Sequence, residues 1–301
     1  MIVRVLGSAA GGGVPQWNCA CNNCNAAREG RQPRRTQSSL ALSPDGKRWL
    51  LLNCSPDIAA QIETFAPLQP AQRRGTPIAG ILLTDANVDH LGGLTVLRQH
   101  GDHKFSLRSS AAVRAIAIAQ PAFAPFSRAP HRWLEVPLDA ASEAVDDQDF
   151  VGNQLVVRAI PIAGMTPGYD GRHAIRGAVV AYEISARGRD DRLLFAPVFG
   201  VVDETLRRAI DHAQIAFLDG SFYTDDELIA QGLADKSARS LGHQPVGGPD
   251  GTLERLRGAG ARVIFTHVNN SNPMLDPDSS AGARVREFGA EIAFDGMELS
   301  L

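Results

Sequence analysis

The stretch "LLTDANVDHLGG" (residues 82–93) ends a run of aliphatic residues, turns through polar side chains and delivers an Asp-His pair just ahead of two glycines. It closes "IAGILLT" (78–84), a continuous apolar segment of the kind a central strand carries when both its faces are covered. "LTVLRQH" then begins a helix, entered through Gly92 and Gly93. Strand, polar turn and helix in that order put Asp89 and His90 at a strand end, where adjacent side chains splay and can both reach one metal ion. The competing reading makes Asp89 a helix cap accepting backbone N–H bonds and His90 an ordinary polar residue.

The surrounding sequence favours the metal. Asp219 follows "IAFL", His243 sits in "SLGHQPVGG" and His267 follows "RVIFT". A parallel or mixed sheet gathers its strand ends on one rim, and sites form there. Two acidic groups and three histidines on such a rim suit a mono- or dinuclear metal.

The rest of the chain supplies the frame. "IVRVLG" (2–7) reads as a buried strand, and "SSLALS" and "RWLLLN" flank "PDGK", where Asp45-Gly46 signals a hairpin. "QLVVRAIPI", "AVVAYEI" and "RLLFAP" have strand character, while "DETLRRAIDHA" and "GTLERLRGAG" have helical spacing. Hairpins followed by alternating strands and helices predict sheets flanked by helices. Residues 121–150 are the most irregular, a lid or a long connection. "LGSAAGGGVPQ" lacks the G-x-G-x-x-G spacing and a following helix, so close backbone packing against the cysteine loop is its simpler role. Cys54, in "LLNCSPDI", reads as a small buried thiol rather than a nucleophile.

Of the 301 residues, 44% are hydrophobic and 21% charged, an ordinary composition able to bury a full core. A net charge of −3 gives no support to a nucleic-acid surface, and "REGRQPRR" (28–35) reads as a solvated loop. The N-terminus lacks the basic and long apolar regions of a signal peptide, and no stretch approaches membrane-spanning length, so a cytoplasmic location is expected. Of the four cysteines, Cys19, Cys21 and Cys24 lie within six residues of one another. In a reducing cytosol that spacing points to metal rather than cross-links. Zn²⁺ prefers four ligands in a tetrahedron, so the loop at about 17–30 is expected to hold a structural zinc with a fourth ligand from elsewhere.

Together, "VLGSAAGGGVPQWNCACNNCNAAR", "TQSSLALSPDGKRWLLLNCSPDI", "DANVDHLGGLTVLR", "FLDGSFYTDDEL", "GHQP" and "FTHVNNSNP" span nearly the whole chain. In this order they resemble the pyrroloquinoline quinone (PQQ) biosynthesis protein B family, a branch of the metallo-β-lactamase superfamily. The resemblance implies one α/β (α+β) domain over 1–301, an αββα sandwich of two mixed sheets with helices outside. The superfamily loop is H-x-H-x-D-H. Here Asp85 and Asn87 replace the first two histidines, and only Asp89 and His90 are kept. The resemblance implies that one metal position persists, with Asp89, His90, Asp219 and His267 as ligands. A further histidine expected after the middle strand has no clean match, although Tyr169 and His173 lie in that stretch. Related cyclic phosphodiesterases close the same three-cysteine loop with the second histidine of T-H-x-x-H. The matching position here is Asn270, which makes it the expected fourth zinc ligand and leaves His267 to the active site; His267 on the zinc is the alternative.

A hydrolase commonly needs a second Lewis acid. Two histidines with one or two carboxylates resemble instead the 2-His-1-carboxylate setting of Fe(II) oxygenases. The family resemblance implies iron-dependent hydroxylation of the tyrosine ring in a Glu-Tyr unit derived from a precursor peptide. The expected cofactors are a structural Zn²⁺ and one active-site divalent ion, Fe²⁺, with O₂ as co-substrate. His243 is the candidate for proton transfer or substrate orientation, Asp85 and Asn87 are further candidate catalytic residues, and arginines near the rim are expected to bind substrate carboxylates. A non-catalytic carrier helping to move PQQ or its precursor to the periplasm, and a metal-dependent hydrolase, are the competing readings. A homodimer is one assembly the sequence allows.

Overall fold

The computed structural model describes residues 1–98, 106–129, 131–139, 154–167 and 175–301. Tyr169, His173 and all of 140–150 lie outside the described residues. The first sheet contains β1 (Ile2–Gly7), β2 (Ser39–Ser43), β3 (Trp49–Leu52), β4 (Ile78–Leu82), β5 (Ser106–Ser109) and β6 (Arg132–Glu135). The second contains β7 (Leu155–Pro161), β8 (Val180–Ala186), β9 (Arg192–Ala196), β10 (Ile215–Asp219), β11 (Arg262–Thr266) and β12 (Glu291–Ile292). The chain then returns as β13 (Glu298–Ser300) to pair antiparallel with β1. The orders are β13-β1-β2-β3-β4-β5-β6 and β12-β11-β10-β9-β8-β7.

Both sheets are mixed, as expected. β1, β2 and β3 pair antiparallel, and β3 through β6 run parallel. In the second sheet β9 through β12 run parallel, while β7 and β8 are antiparallel additions. Successive strand side chains point to opposite faces, so "WLLL" divides between two cores. Leu50 and Leu52 face inward with Val3, Tyr182 and Phe217 between the sheets. Leu51 faces outward with Ile81 and Leu107 against Ile58 and Val113. On the far side Leu194, Ala216 and Leu218 meet Leu206 and Ile210 of helix Glu204–His212. This double coverage is why the strands read as unbroken apolar runs, and it produces the expected αββα layers.

Two sheets packed face to face bring the ends of β4, β10 and β11 to one rim. Val180 N–H donates to Thr84 O, and Tyr182 Oη donates to Leu83 O at 2.9 Å, tying the end of β4 to the second sheet. The described part of the irregular region packs into the outer core through Phe123, Phe126 and Trp133, and none of it lines the cavity described below. Among the described residues, no helix is long and apolar enough to cross a membrane.

Candidate metal centre

The turn after β4 is built around Asp85. Its Oδ1 accepts from the backbone N–H and the side-chain Nδ2 of Asn87, each at 2.9 Å. Its Oδ2 accepts from Thr84 Oγ1 at 2.9 Å and from His90 Nδ1 at 2.7 Å. Both Asp85 and His90 are fully buried. Asp85 therefore does not touch the cavity as a catalytic group; it orients His90. With its proton on Nδ1, His90 turns the lone pair of Nε2 toward Asp89 and His267, and that buried Nε2 has no hydrogen-bond partner. Asp89 is no cap of the short helix Val88–Leu91: Asn87 occupies that position without a side-chain cap bond.

The second sheet supplies the facing side. Asp219 ends β10, and its Oδ2 accepts from His243 Nδ1 at 2.7 Å and from Phe199 N–H at 3.2 Å. Its Oδ1 accepts from Ser221 N–H at 2.9 Å and Ser221 Oγ–H at 2.6 Å. Because Ser221 donates its hydroxyl proton to Asp219, its oxygen is left to accept from His267 Nδ1 at 2.8 Å. All three histidines thus have Nδ1 engaged by an acceptor oxygen, a carboxylate or Ser221, which leaves each Nε2 free to ligate a metal or to take a proton. One ligand atom each of Asp89, His90 and His267 falls within a 4.8 Å group, and so does one each of Asp219, His243 and His267. His267 Nε2 is 3.1 Å from Asp89 Oδ2, and the His90 and His267 rings are 5.0 Å apart. Residues separated by 178 positions in sequence meet here.

The electrostatics ask for a cation. Burial opposes ionisation of His90, yet Asp85 and Asp89 outweigh it and raise the ring to about 9. Burial likewise works against the Asp89 carboxylate, but His90 and His267 hold it well below the usual range. Two buried carboxylates, Asp85 and Asp219, and the half-buried Asp89 beside an orphaned imidazole nitrogen fit a divalent ion, which would satisfy Nε2 of His90 and neutralise Asp89 together. Both oxygens of Asp219 are already engaged by the protein, and His243, which the sequence places among the rim histidines as a candidate for proton transfer or substrate orientation, falls in a ligand group with Asp219 and His267.

Segment Thr266–Asn272 links this centre to a second one. His267 has φ +56°, a left-handed conformation that costs a non-glycine residue about 1–3 kcal/mol and persists only when neighbours enforce it. Val268 N–H donates to Ser8 O, Ala10 N–H donates to Val268 O, and Asn269 N–H donates to Ser221 O. Three residues beyond His267, Asn270 Nδ2 lies 3.1, 3.5 and 3.4 Å from Sγ of Cys19, Cys21 and Cys24. The three sulfurs form one ligand group. An amide turned by 180° presents Oδ1 in place of Nδ2, so three thiolates and the Asn270 oxygen fit a tetrahedral zinc site. His267 lies in the histidine centre, not this one.

A cavity of about 280 Å³ opens on the histidine centre. Asp89, His243, His267, Asn87 and Asn269 line its polar side, and Met165, Pro167, Val198, Phe222 and Leu241 its apolar side. Gly11 contributes from the glycine-rich turn, where a Cβ would stand 3.3 Å from Asp89 Oδ2. The described lining residues include no Lys or Arg, so the expected rim arginines are not among them. A separate cleft of about 430 Å³ beside Arg158, Glu183 and Arg192 shares none of these residues. Ser221, Asn269 and Gly11 were not singled out from sequence; the only signal was the "DGS" spacing of Asp219 and Ser221.

A beta-lactamase superfamily domain matches residues 48–268. Coenzyme PQQ synthesis protein B of Cupriavidus necator is 40% identical over 306 residues, covering 99% of both chains. The protein of the same name from Azoarcus sp. (strain BH72) is 39% identical, with full coverage of both. Among solved structures, Zn²⁺-bound PqqB from Methylobacterium extorquens superposes over the full length of both chains with a TM-score of 0.91 at 36% identity. A diphosphatase of the PhnP family, at 18% identity and a TM-score of 0.68, shares the fold. Matched end to end by these relatives, the chain belongs to the coenzyme PQQ synthesis protein B family of the metallo-β-lactamase superfamily.

Proposed function

We propose that the chain serves coenzyme PQQ synthesis as a mononuclear, iron-dependent hydroxylase acting on the tyrosine ring of a Glu-Tyr unit. The full-length relatives support the pathway. The single observation that carries the chemistry is the saturated carboxylate of Asp85, which accepts four hydrogen bonds. A dinuclear hydrolase would need histidine ligands at 85 and 87. Here position 85 is closed by its own partners, so one ion position is left.

His90, His267 and Asp89 are the residues that would hold the ion, with His243 beside them. A ferrous ion bound there supplies open coordination positions for O₂ and the redox chemistry of oxygen insertion. The chain's own residues do the rest. Asp85 and Ser221 fix the rings of His90 and His267. Asp219 holds His243 through Nδ1, leaving Nε2 to take a proton from the substrate. Met165, Phe222 and Leu241 present an apolar wall to an aromatic ring and keep water from it. One oxygen atom of O₂ enters the ring as hydroxyl, and the other leaves as water with two electrons from an added reductant and two protons from the reductant and solvent.

Metal-free protein reloaded with Fe²⁺ under anaerobic conditions, then given O₂, ascorbate and a Glu-Tyr peptide, is expected to consume O₂ and add one oxygen to the peptide. Tight binding of the quinone without turnover supports the carrier instead. Turnover with Zn²⁺ or Mn²⁺ and no O₂ supports a hydrolase.

A further inference from the structure

Two asparagines face the cavity, and the protein dictates which end of each amide it offers. The Nδ2 of Asn87 donates to Asp85 Oδ1 at 2.9 Å. A carboxylate accepts and cannot donate, so the amide cannot be turned around. Asp85 is fully buried beneath the turn, which leaves Asn87 Oδ1 as the end for the cavity. With Glu227 ionised, Asn269 repeats the arrangement. Its Nδ2 donates to Ser271 Oγ at 2.6 Å, and Ser271 in turn donates to the buried Glu227 carboxylate. Among the described residues, none donates to Oδ1 of either asparagine.

We propose that Asn87 and Asn269 form an acceptor pair that selects the substrate by a neutral hydroxyl donor carried on a single aromatic ring. The inference deepens the proposed function and rests on its reading of this cavity as the substrate site. The surroundings narrow the ligand class. A carboxylate head would press its own lone pairs against two carbonyl oxygens, with no Lys or Arg among the described lining residues to compensate. An ammonium head would meet the field of a divalent ion in the adjoining ligand group. A phenolic O–H is uncharged, donates one bond and carries an apolar body suited to the wall of Met165, Phe222 and Leu241. The pair also gives a physical role to the loss of the second loop histidine: a ligand to metal becomes a ligand to substrate.

The experiment compares N-acetyl-tyrosinamide with N-acetyl-phenylalaninamide, which differ only in the hydroxyl. Ligand-observed NMR titrations use Co²⁺-loaded protein, with the cobalt spectrum confirming equal loading of every variant. Wild type is expected to bind the tyrosine probe about tenfold more tightly. Asn87→Leu and Asn269→Ala are each expected to reduce that ratio to about threefold or less, mainly by weakening the tyrosine probe. Asn269 does not touch Asp85, so its variant reads the acceptor independently of the turn that Asn87 helps to close. A ratio unchanged in both variants overturns the proposal, as does wild type that binds neither probe or both equally. O₂ uptake by the Fe²⁺ form is scored separately: discrimination without O₂ uptake sinks the hydroxylase and leaves the acceptor pair standing.

Discussion

Nδ1 of His90 lies 2.7 Å from Oδ2 of Asp85, and both side chains are buried with no exposure at all. The residue that replaces the first loop histidine has thus become the support of the last one.

Asp85→Ala removes that support and leaves the buried His90 Nδ1–H with only Thr84 Oγ1, 3.5 Å away. Such a loss costs about 1–3 kcal/mol, and loss of an outer-shell partner weakens metal binding about 10–100-fold. The expected result is a lower melting temperature in metal-free protein and weaker Co²⁺ binding in competition titrations. Cobalt affinity within twofold of wild type would show that Asp85 does not orient the ligand.

Ser221→Ala cuts the relay from Asp219 to His267 without disturbing Asp219's contact with His243. Cobalt affinity is expected to fall about tenfold, with partial recovery in Ser221→Thr, which restores the hydroxyl. A His267 ring whose NMR tautomer signature is the same in Ser221→Ala and wild type refutes the relay.

The cysteine centre is expected to be coupled to the histidine centre. Asn23 Nδ2 donates to the carbonyls of Asn270 and Asn272, each at 2.9 Å, and only three positions separate Asn270 from the strained backbone of His267. Removing zinc from Cys19, Cys21 and Cys24 should weaken Co²⁺ at the histidines about 5–10-fold, and the reciprocal effect must be equal. The sulfur-to-cobalt charge-transfer band distinguishes the two sites. Independent isotherms in zinc-replete and zinc-depleted protein, with unchanged circular dichroism, would exclude the link. Asn23→Ala, which keeps every cysteine, tests it without chelation.

Glu227 gives the pH prediction. Burial raises its carboxyl to about 7, despite hydrogen bonds from Ser271 and the Tyr223 backbone that favour the anion. Between the unfolded value near 4.5 and the folded value near 7 the native state holds more protons than the unfolded state. Stability from this group is therefore full below about pH 4.5 and falls as pH rises toward and through 7, by about 3 kcal/mol in all. Glu227→Gln should flatten that part of the stability–pH curve in urea unfolding. An identical slope in the variant would assign the pH dependence elsewhere.

The pattern of residues by itself indicated sheets flanked by helices, since unbroken apolar runs such as "WLLL" and "IAFL" need cover on both faces, while the two-sheet αββα sandwich was what the family resemblance implied. The pattern also marked Asp89, His90, Asp219 and His267 as strand-end groups and Cys19, Cys21 and Cys24 as a cluster, because local spacing and position after an apolar run are written in the chain itself. Only the tertiary structure decided what each one does. It tied Asp219 to His243, 24 positions away, and withdrew Asp85 beneath the metal-facing side chains. It also set Asn270, not His267, over the sulfurs, three residues along one strained segment. The reason is that a ligand's role depends on which of its atoms is left unpaired. That is settled by hydrogen-bond partners brought together across two sheets, a relation that no period or spacing in a single chain encodes.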